Sequence, residues 1–198
     1  MEATRICVIG DELVAGIGDP KALGWVGRVL ARTEVPAHTQ LYPLALPMES
    51  TTQLAQRWET ECYPRFARDA TNKLIVAVGA HDVDAGLSTP RTRLNLANIL
   101  DVAAANGIET MLVSPPPLRC SDQRHLQRLS TACHDVAERR HIPFIDMYTP
   151  LAGHDQWHDD IALSASGFPS QAGYGLMTWI MLHSGWFEFT GMSPKTTP

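Results

Sequence analysis

The sequence lacks most of the features that assign a function at first sight. No apolar run approaches the roughly 18 residues that a membrane-spanning helix needs. No run of Lys and Arg marks a surface for lipid headgroups. The 198 residues carry 16 Lys+Arg against 21 Asp+Glu, a formal charge of −5, so there is no electrostatic footprint for nucleic acid either. Cys7, Cys62, Cys120 and Cys133 form neither a zinc pattern nor a CxxC pair. The glycines between Gly10 and Gly18 lack both the GxGxxG spacing and the lysine of a phosphate loop. The first five residues include Glu2 and lead straight into a strand-like run, without the basic and apolar regions of a signal peptide. The expectation is a cytoplasmic protein without disulfides, cofactor or metal. Hydrophobic residues at 44% and charged residues at 19% exclude global disorder.

What is present is an alternation of short apolar runs and longer amphipathic stretches. Residues 5–10, 74–79, 110–114 and 143–146 are runs of apolar, often β-branched residues, most of them edged by Gly or Pro. This is the pattern of strands buried on both faces of a parallel sheet. Residues 38–46 hold a weaker candidate, interrupted by Pro43. Helical patterns lie between them. Residues 24–32 carry Trp25, Val26, Val29 and Leu30, and residues 51–69 carry Leu54, Trp58, Cys62 and Phe66 at four-residue spacing. Residues 91–106 stop at Asn106-Gly107, residues 121–140 have Ser121 or Asp122 as N-cap, and residues 170–182 come last. The order predicts an α/β fold in three layers, one domain over 1–189, and a C-terminal tail, 190–198, that frays. Cys7, Trp157, Trp179, Trp186 and Phe187 read as core or C-terminal packing. Ligands of such sheets bind at the carboxyl ends of the strands, which directs attention to 10–18, 79–84, 114–120 and the segment before the last helix.

Three of these segments carry a resemblance. VIGDELVAGIGDP (8–20), followed by GWVGR (24–28), looks like the opening Gly-Asp-Ser-Leu block of the SGNH, or GDSL-type, hydrolases. VAVGAHD (76–82) looks like their Gly-x-Asn-Asp block, and SASGFPSQAGY (164–174) like their closing Asp-Gly-x-His-Pro block. The resemblance spans nearly the whole chain and implies a parallel five-stranded, flavodoxin-like sheet. In that family the Ser is the nucleophile, the His its base and the Asp the group that orients the base, while a Gly and the Asn bind the oxyanion. Carried over position by position, the Ser is Glu12, the Asn is His81, the Asp is Ala165 and the His is Phe168. The oxyanion Gly falls in 44–50, near Ala45 or Met48. Asp11, Gly79, Asp82, Pro169 and Gly173 of the framing pattern are kept. Every reactive side chain is thus exchanged and the frame retained.

Hydrolysis by a Ser–His–Asp triad requires a nucleophile, a base and an orienting carboxylate. Phe168 cannot take a proton and Ala165 cannot orient one. The resemblance places Glu12 and His81 in one pocket, where a carboxylate and an imidazole form an acid–base pair. The expected function is therefore proton transfer on an acyl or polyketide-like small molecule (cyclisation, lactonisation, isomerisation or dehydration). Glu12 and His81 are the candidate catalytic residues, and Asp11, Leu13, Met48, Gly79, Asp82 and Phe168 line the substrate site. A non-catalytic binding protein, in which Glu12 caps its helix or meets a structural partner, is the rival reading, and residual ester hydrolysis a third. The expected partner is a small molecule, with neither nucleic acid nor membrane, and nothing in the sequence sets an oligomeric state.

Other candidates carry less. His154, His158, Asp159 and Asp160 could ligate a metal on a helix, yet no third ligand is obvious and a solvated face explains them. His125, His134 and His141 read as surface residues, and Asp146 as a residue that orders a loop.

Overall fold

The computed structural model describes residues 3–78, 80–119 and 122–196. In chain order the elements are β1 (Ala3–Gly10), α1 (Glu12–Ala15), α2 (Gly24–Ala31), β2 (Thr33–Glu34), β3 (Thr39–Ala45), α3 (Thr51–Cys62), β4 (Ala70–Ala77), α4 (His81–Asp84) and α5 (Thr89–Ala105). They continue with β5 (Glu109–Val113), α6 (Gln123–Glu138), β6 (Phe144–Ile145), α7 (Tyr148–Ala152), α8 (Asp155–Leu163), α9 (Gln171–His183), α10 (Trp186–Thr190) and β7 (Ser193–Pro194).

Five strands pair in parallel in the order β3-β1-β4-β5-β6. The central runs behave as their composition demands. Ile6, Cys7, Val8 and Ile9 of β1 and Leu74, Ile75 and Val76 of β4 are fully buried, because helices cover the sheet. α2 packs on α9, and α3, α5 and α6 pack in a row. Pro43 lies in β3, opposite Val8, where an edge strand tolerates its missing N–H. The stretch expected to be helical over 51–69 ends at Cys62 and passes through a 3-10 turn, Tyr63–Arg65, because Pro64 stops the α-helix. Asp122 is the N-cap of α6, accepting from His125 N–H, while Ser121 lies outside the described residues.

Two expectations change. The tail from Thr190 onward was expected to fray, yet Thr190 and Met192 are buried and β7 pairs antiparallel with β2. Lys195 N–H adds a hydrogen bond to Arg32 O. Trp186 anchors this corner by donating to Thr33 Oγ1. Trp179, read as core or C-terminal packing, is 61% exposed and stacks on His183 with ring centroids 4.4 Å apart. α9 buries Tyr174, Met177 and Met181 instead, one stripe of a helix apolar on more than one face.

The strand order also locates the site. From β1 the chain moves outward to β3 and then returns to the other side of β1 as β4. The crevice between the carboxyl ends of β1 and β4 lies at this reversal, where open α/β sheets hold their ligands. α1 begins directly after β1, and α4 shortly after β4.

Candidate active site

β1 ends against β4 so closely that a Cβ on Gly10 would stand 2.3 Å from Ala77 O. Asp11 then caps α1: its Oδ1 accepts Leu13 N–H at 3.0 Å. Glu12, the first residue of α1, is thereby aimed into the crevice and buried. On the β4 side, α4 begins at His81. His81 Nε2 lies 2.7 Å from Glu12 Oε2, and the other carboxylate oxygen, Oε1, accepts Met48 N–H at 2.8 Å. The two residues singled out by the sequence therefore meet in a hydrogen-bonded pair. Glu12 also has the structural partner that the rival reading expected.

Met48 reaches this position through a strained backbone, with φ of 58° in the left-handed region. Its side chain is 72% exposed, so its N–H is what meets Glu12. Arg57 fixes the loop that presents it. Its guanidinium holds both oxygens of Glu49 at 2.5 and 2.6 Å. It also donates to Gly10 O at 3.3 Å and Leu44 O at 3.1 Å. One side chain thus ties the end of β1, the end of β3 and the residue after Met48. Burial pushes the Glu49 carboxyl above its ordinary range, although Arg57 works against the shift.

Asp82 does not face the crevice, contrary to its assignment as a substrate contact. Its Oδ1 accepts Thr51 N–H at 2.7 Å and its Oδ2 accepts Thr51 Oγ1–H at 2.7 Å and the Thr92 hydroxyl. Asn95 completes the network on Thr51 and Thr52. These bonds clamp α4, and with it His81, between α3 and α5. Leu13 is a core side chain for the same reason of burial. Gly79 lies outside the described residues.

Asp11 is the unsettled member of the group. Its Oδ2 is buried without a hydrogen-bond partner among the described residues and lies 3.9 Å from His81 Nε2. Burial pushes its carboxyl up to about 7; Leu13 N–H and His81 oppose the shift, while Glu12 and Glu49 add to it. A void of about 10 Å³ adjoins it, lined by Asp11, Glu49, Ser50 and Thr51 among others. Asp11, Glu12 and His81 are also the residues here that could hold a metal ion.

The loop carrying Ala165 and Phe168 closes the α1 side. Ala165 is exposed and Phe168 half-buried. Asp160 seats the loop's end by accepting Ser170 N–H at 2.6 Å and Gly173 N–H at 3.1 Å, and Tyr174 Oη donates to Ile17 O at 2.8 Å. Gly18, with φ of 92°, lies so near that a Cβ would meet Pro169 O at 2.6 Å. The other candidates serve the scaffold. Asp146 orders its loop by accepting Tyr148 and Thr149 N–H, and His158 meets Ala152 O. His134 and His141 are exposed, His125 is half-buried, and Trp157 is a core residue that donates to Pro117 O. A cavity of about 350 Å³ lies farther along the sheet, lined by Leu118, Arg119, Tyr148 and His158 among others, and includes neither Glu12 nor His81.

The GDSL-like lipase/acylhydrolase family matches residues 8–176. Among solved structures, a lipase/acylhydrolase from Enterococcus faecalis superposes with a TM-score of 0.74 at 20% identity, covering 98% of this chain and all of that one. A member of the lipolytic G-D-S-L family from Veillonella parvula gives 0.75 at 19% identity over 91% and 97%. A psychrotrophic esterase from Pseudoalteromonas sp. gives 0.71 at 17% over 94% and 100%. At these identities the likeness is one of fold. No curated protein matches the chain.

Proposed function

The chain belongs to the GDSL-like lipase/acylhydrolase family, and from that premise we propose that it has exchanged the hydrolytic triad for a proton-transfer pair, Glu12 and His81. The observation that carries this reading is the 2.7 Å contact between Glu12 Oε2 and His81 Nε2, at the strand reversal where the fold binds its ligands. The positions matching the family's Asp and His hold Ala165 and Phe168, which leaves a serine no base.

The roles follow from exposure. The Glu12 side chain is 5% exposed and that of His81 15%, so His81 is the end that meets a small molecule. The tautomer that donates from Nε2 to Glu12 leaves the lone pair on Nδ1. Nδ1 then takes a proton from carbon or oxygen, and Glu12 stabilises the imidazolium that forms. Returned to a different atom, that proton gives isomerisation, dehydration or ring closure. Met48 N–H keeps one oxygen of Glu12 fixed, and Asp82 keeps α4 fixed, so the pair needs little reorganisation. The half-buried ring of Phe168 supplies an apolar wall suited to an acyl or polyketide-like substrate, in a protein expected to act in the cytoplasm on a small molecule.

The test is hydrogen exchange. Acyl thioesters and β-keto esters are incubated with the protein in D₂O, and deuterium α to the carbonyl is read by mass spectrometry. Incorporation is expected with the native chain and not with His81→Ala, and is slowed about a hundredfold by Glu12→Gln, the lower end of the usual range for a general acid–base group. Equal incorporation by all three proteins refutes the assignment.

A further inference from the structure

Three ligand atoms converge beside β1. Asp11, Glu12 and His81 each offer one ligand atom, and these three atoms all lie within 4.8 Å of one another. His81 Nε2 is 2.7 Å from Glu12 Oε2 and 3.9 Å from Asp11 Oδ2. Around an ion with bonds of about 2.0–2.2 Å, neighbouring ligand atoms stand about 3.0–3.5 Å apart. The two separations from His81 bracket that value, and the third stays within 4.8 Å.

Two independent features point at a cation. Asp11 is 2% exposed, and its Oδ2 has no hydrogen-bond partner among the described residues although it lies 3.9 Å from His81 Nε2. A buried carboxylate oxygen left this way is costly unless something positive meets it. Further, each carboxylate is anchored by a backbone N–H through its other oxygen: Leu13 N–H on Asp11 Oδ1 at 3.0 Å, and Met48 N–H on Glu12 Oε1 at 2.8 Å. Outer contacts of this kind orient the ligands of built metal sites. Among the described residues no Lys or Arg pairs with Asp11 or Glu12, the nearby Arg57 being held by Glu49. A metal binds the deprotonated forms of these groups, and two carboxylates with a neutral imidazole then supply a charge of −2, matched to a dication.

We propose that Asp11, Glu12 and His81 form a three-ligand site for a divalent transition-metal ion of the zinc or manganese type. The imidazole nitrogen favours such ions over magnesium and calcium, which prefer oxygen alone. Three ligands from one side leave the remaining coordination positions to water or to a carboxylate or carbonyl ligand, as in catalytic rather than structural sites. The ion and the shared proton compete for the same two atoms, Glu12 Oε2 and His81 Nε2, so metal loading silences proton transfer. The inference rests on the placement of the side chains and not on the proton-transfer reading, and binding is read without a substrate, so either can fail alone.

The test uses the full chain, stripped of metal, with Zn²⁺ titrated by calorimetry. One ion per chain is expected, with affinity reduced at least tenfold in Asp11→Asn and in His81→Gln. No binding by the native chain, or binding unchanged in both variants, overturns the proposal. Should a variant fail to fold, substoichiometric Mn²⁺ added to the ¹⁵N-labelled native chain decides. Broadening of the Leu13 and Met48 amides supports the site. Broadening centred on the surface group His134, Asp135 and Glu138, of which Asp135 is half-buried, overturns it.

Discussion

Replacing Asp82 with alanine measures how firmly His81 is held. The Asp82 carboxylate is almost wholly buried and accepts three hydrogen bonds, from Thr51 N–H, Thr51 Oγ1 and Thr92 Oγ1. A hydrogen bond to a charged group contributes roughly 1.5–3 kcal/mol, so simple addition over three gives about 4.5–9 kcal/mol. The two hydroxyls can turn to other acceptors, and neighbouring terms do not add, which favours a value just below the lower end, about 4 kcal/mol. Against a total stability of roughly 5–15 kcal/mol that is a severe loss. At roughly 2–4 °C per kcal/mol for a chain of this size, Tm falls by about 8–16 °C. Asp82→Asn keeps one acceptor and the shape, and should lose about half as much. Urea unfolding followed by circular dichroism gives the value from the midpoint, with the slope unchanged. A Asp82→Ala protein within about 0.5 kcal/mol of the native one, the ordinary scatter of a surface change, would refute the view that this network clamps α4.

The remaining predictions concern the frame around the site. Asp19 is buried and paired with Arg28 at 2.8 Å; burial alone would raise its carboxyl, but Lys21 N–H, Arg28 and Gly24 N–H outweigh it and hold it below the ordinary value. Its contribution is therefore full above the ordinary carboxyl range and lost as pH falls through the lowered value. Asp19→Asn should cost about 3 kcal/mol at neutral pH, as for a broken buried pair, and should flatten the acid limb of a stability–pH curve. Arg57→Met strands Glu49, whose carboxyl burial already raises. The variant should therefore lose stability as pH rises from 5 to 8 more steeply than the native chain, and a parallel pair of curves would count against the tie. Gly18→Ala places a methyl group against Pro169 O at positive φ and should cost about 2 kcal/mol, the range for strained backbone. Limited proteolysis within 164–169 should then be faster than in the native chain.

The central strands were legible because their composition states their burial: β1 and β4 are apolar on both faces and have no other place to go. β3 was weaker because Pro43 breaks the run, and only the pairing with β1 shows that an edge absorbs it. α1 and α4 escaped notice because four residues are too few to display a period, yet they carry the site. Glu12 and His81 were found through their places in the Gly-Asp and Gly-x-x-Asp frames. Asp82 was misassigned because the direction of a carboxylate is set by partners 10 and 31 residues away, which no local pattern encodes. Trp179 was misplaced because helix α9 is apolar almost all round, and only packing decides which stripe faces inward. Met48 could be placed only loosely, since a backbone N–H leaves no mark in the side-chain sequence.

The central claim is that a Glu12–His81 pair has replaced the serine of the hydrolases. Incubation of the native chain with a fluorophosphonate, followed by intact and peptide-level mass spectrometry, addresses it most directly. These reagents phosphonylate a serine that a histidine activates. The expected outcome is an unmodified mass at a concentration that labels an active esterase of the same fold to completion. A phosphonyl adduct on any serine between residues 8 and 176 would contradict the claim.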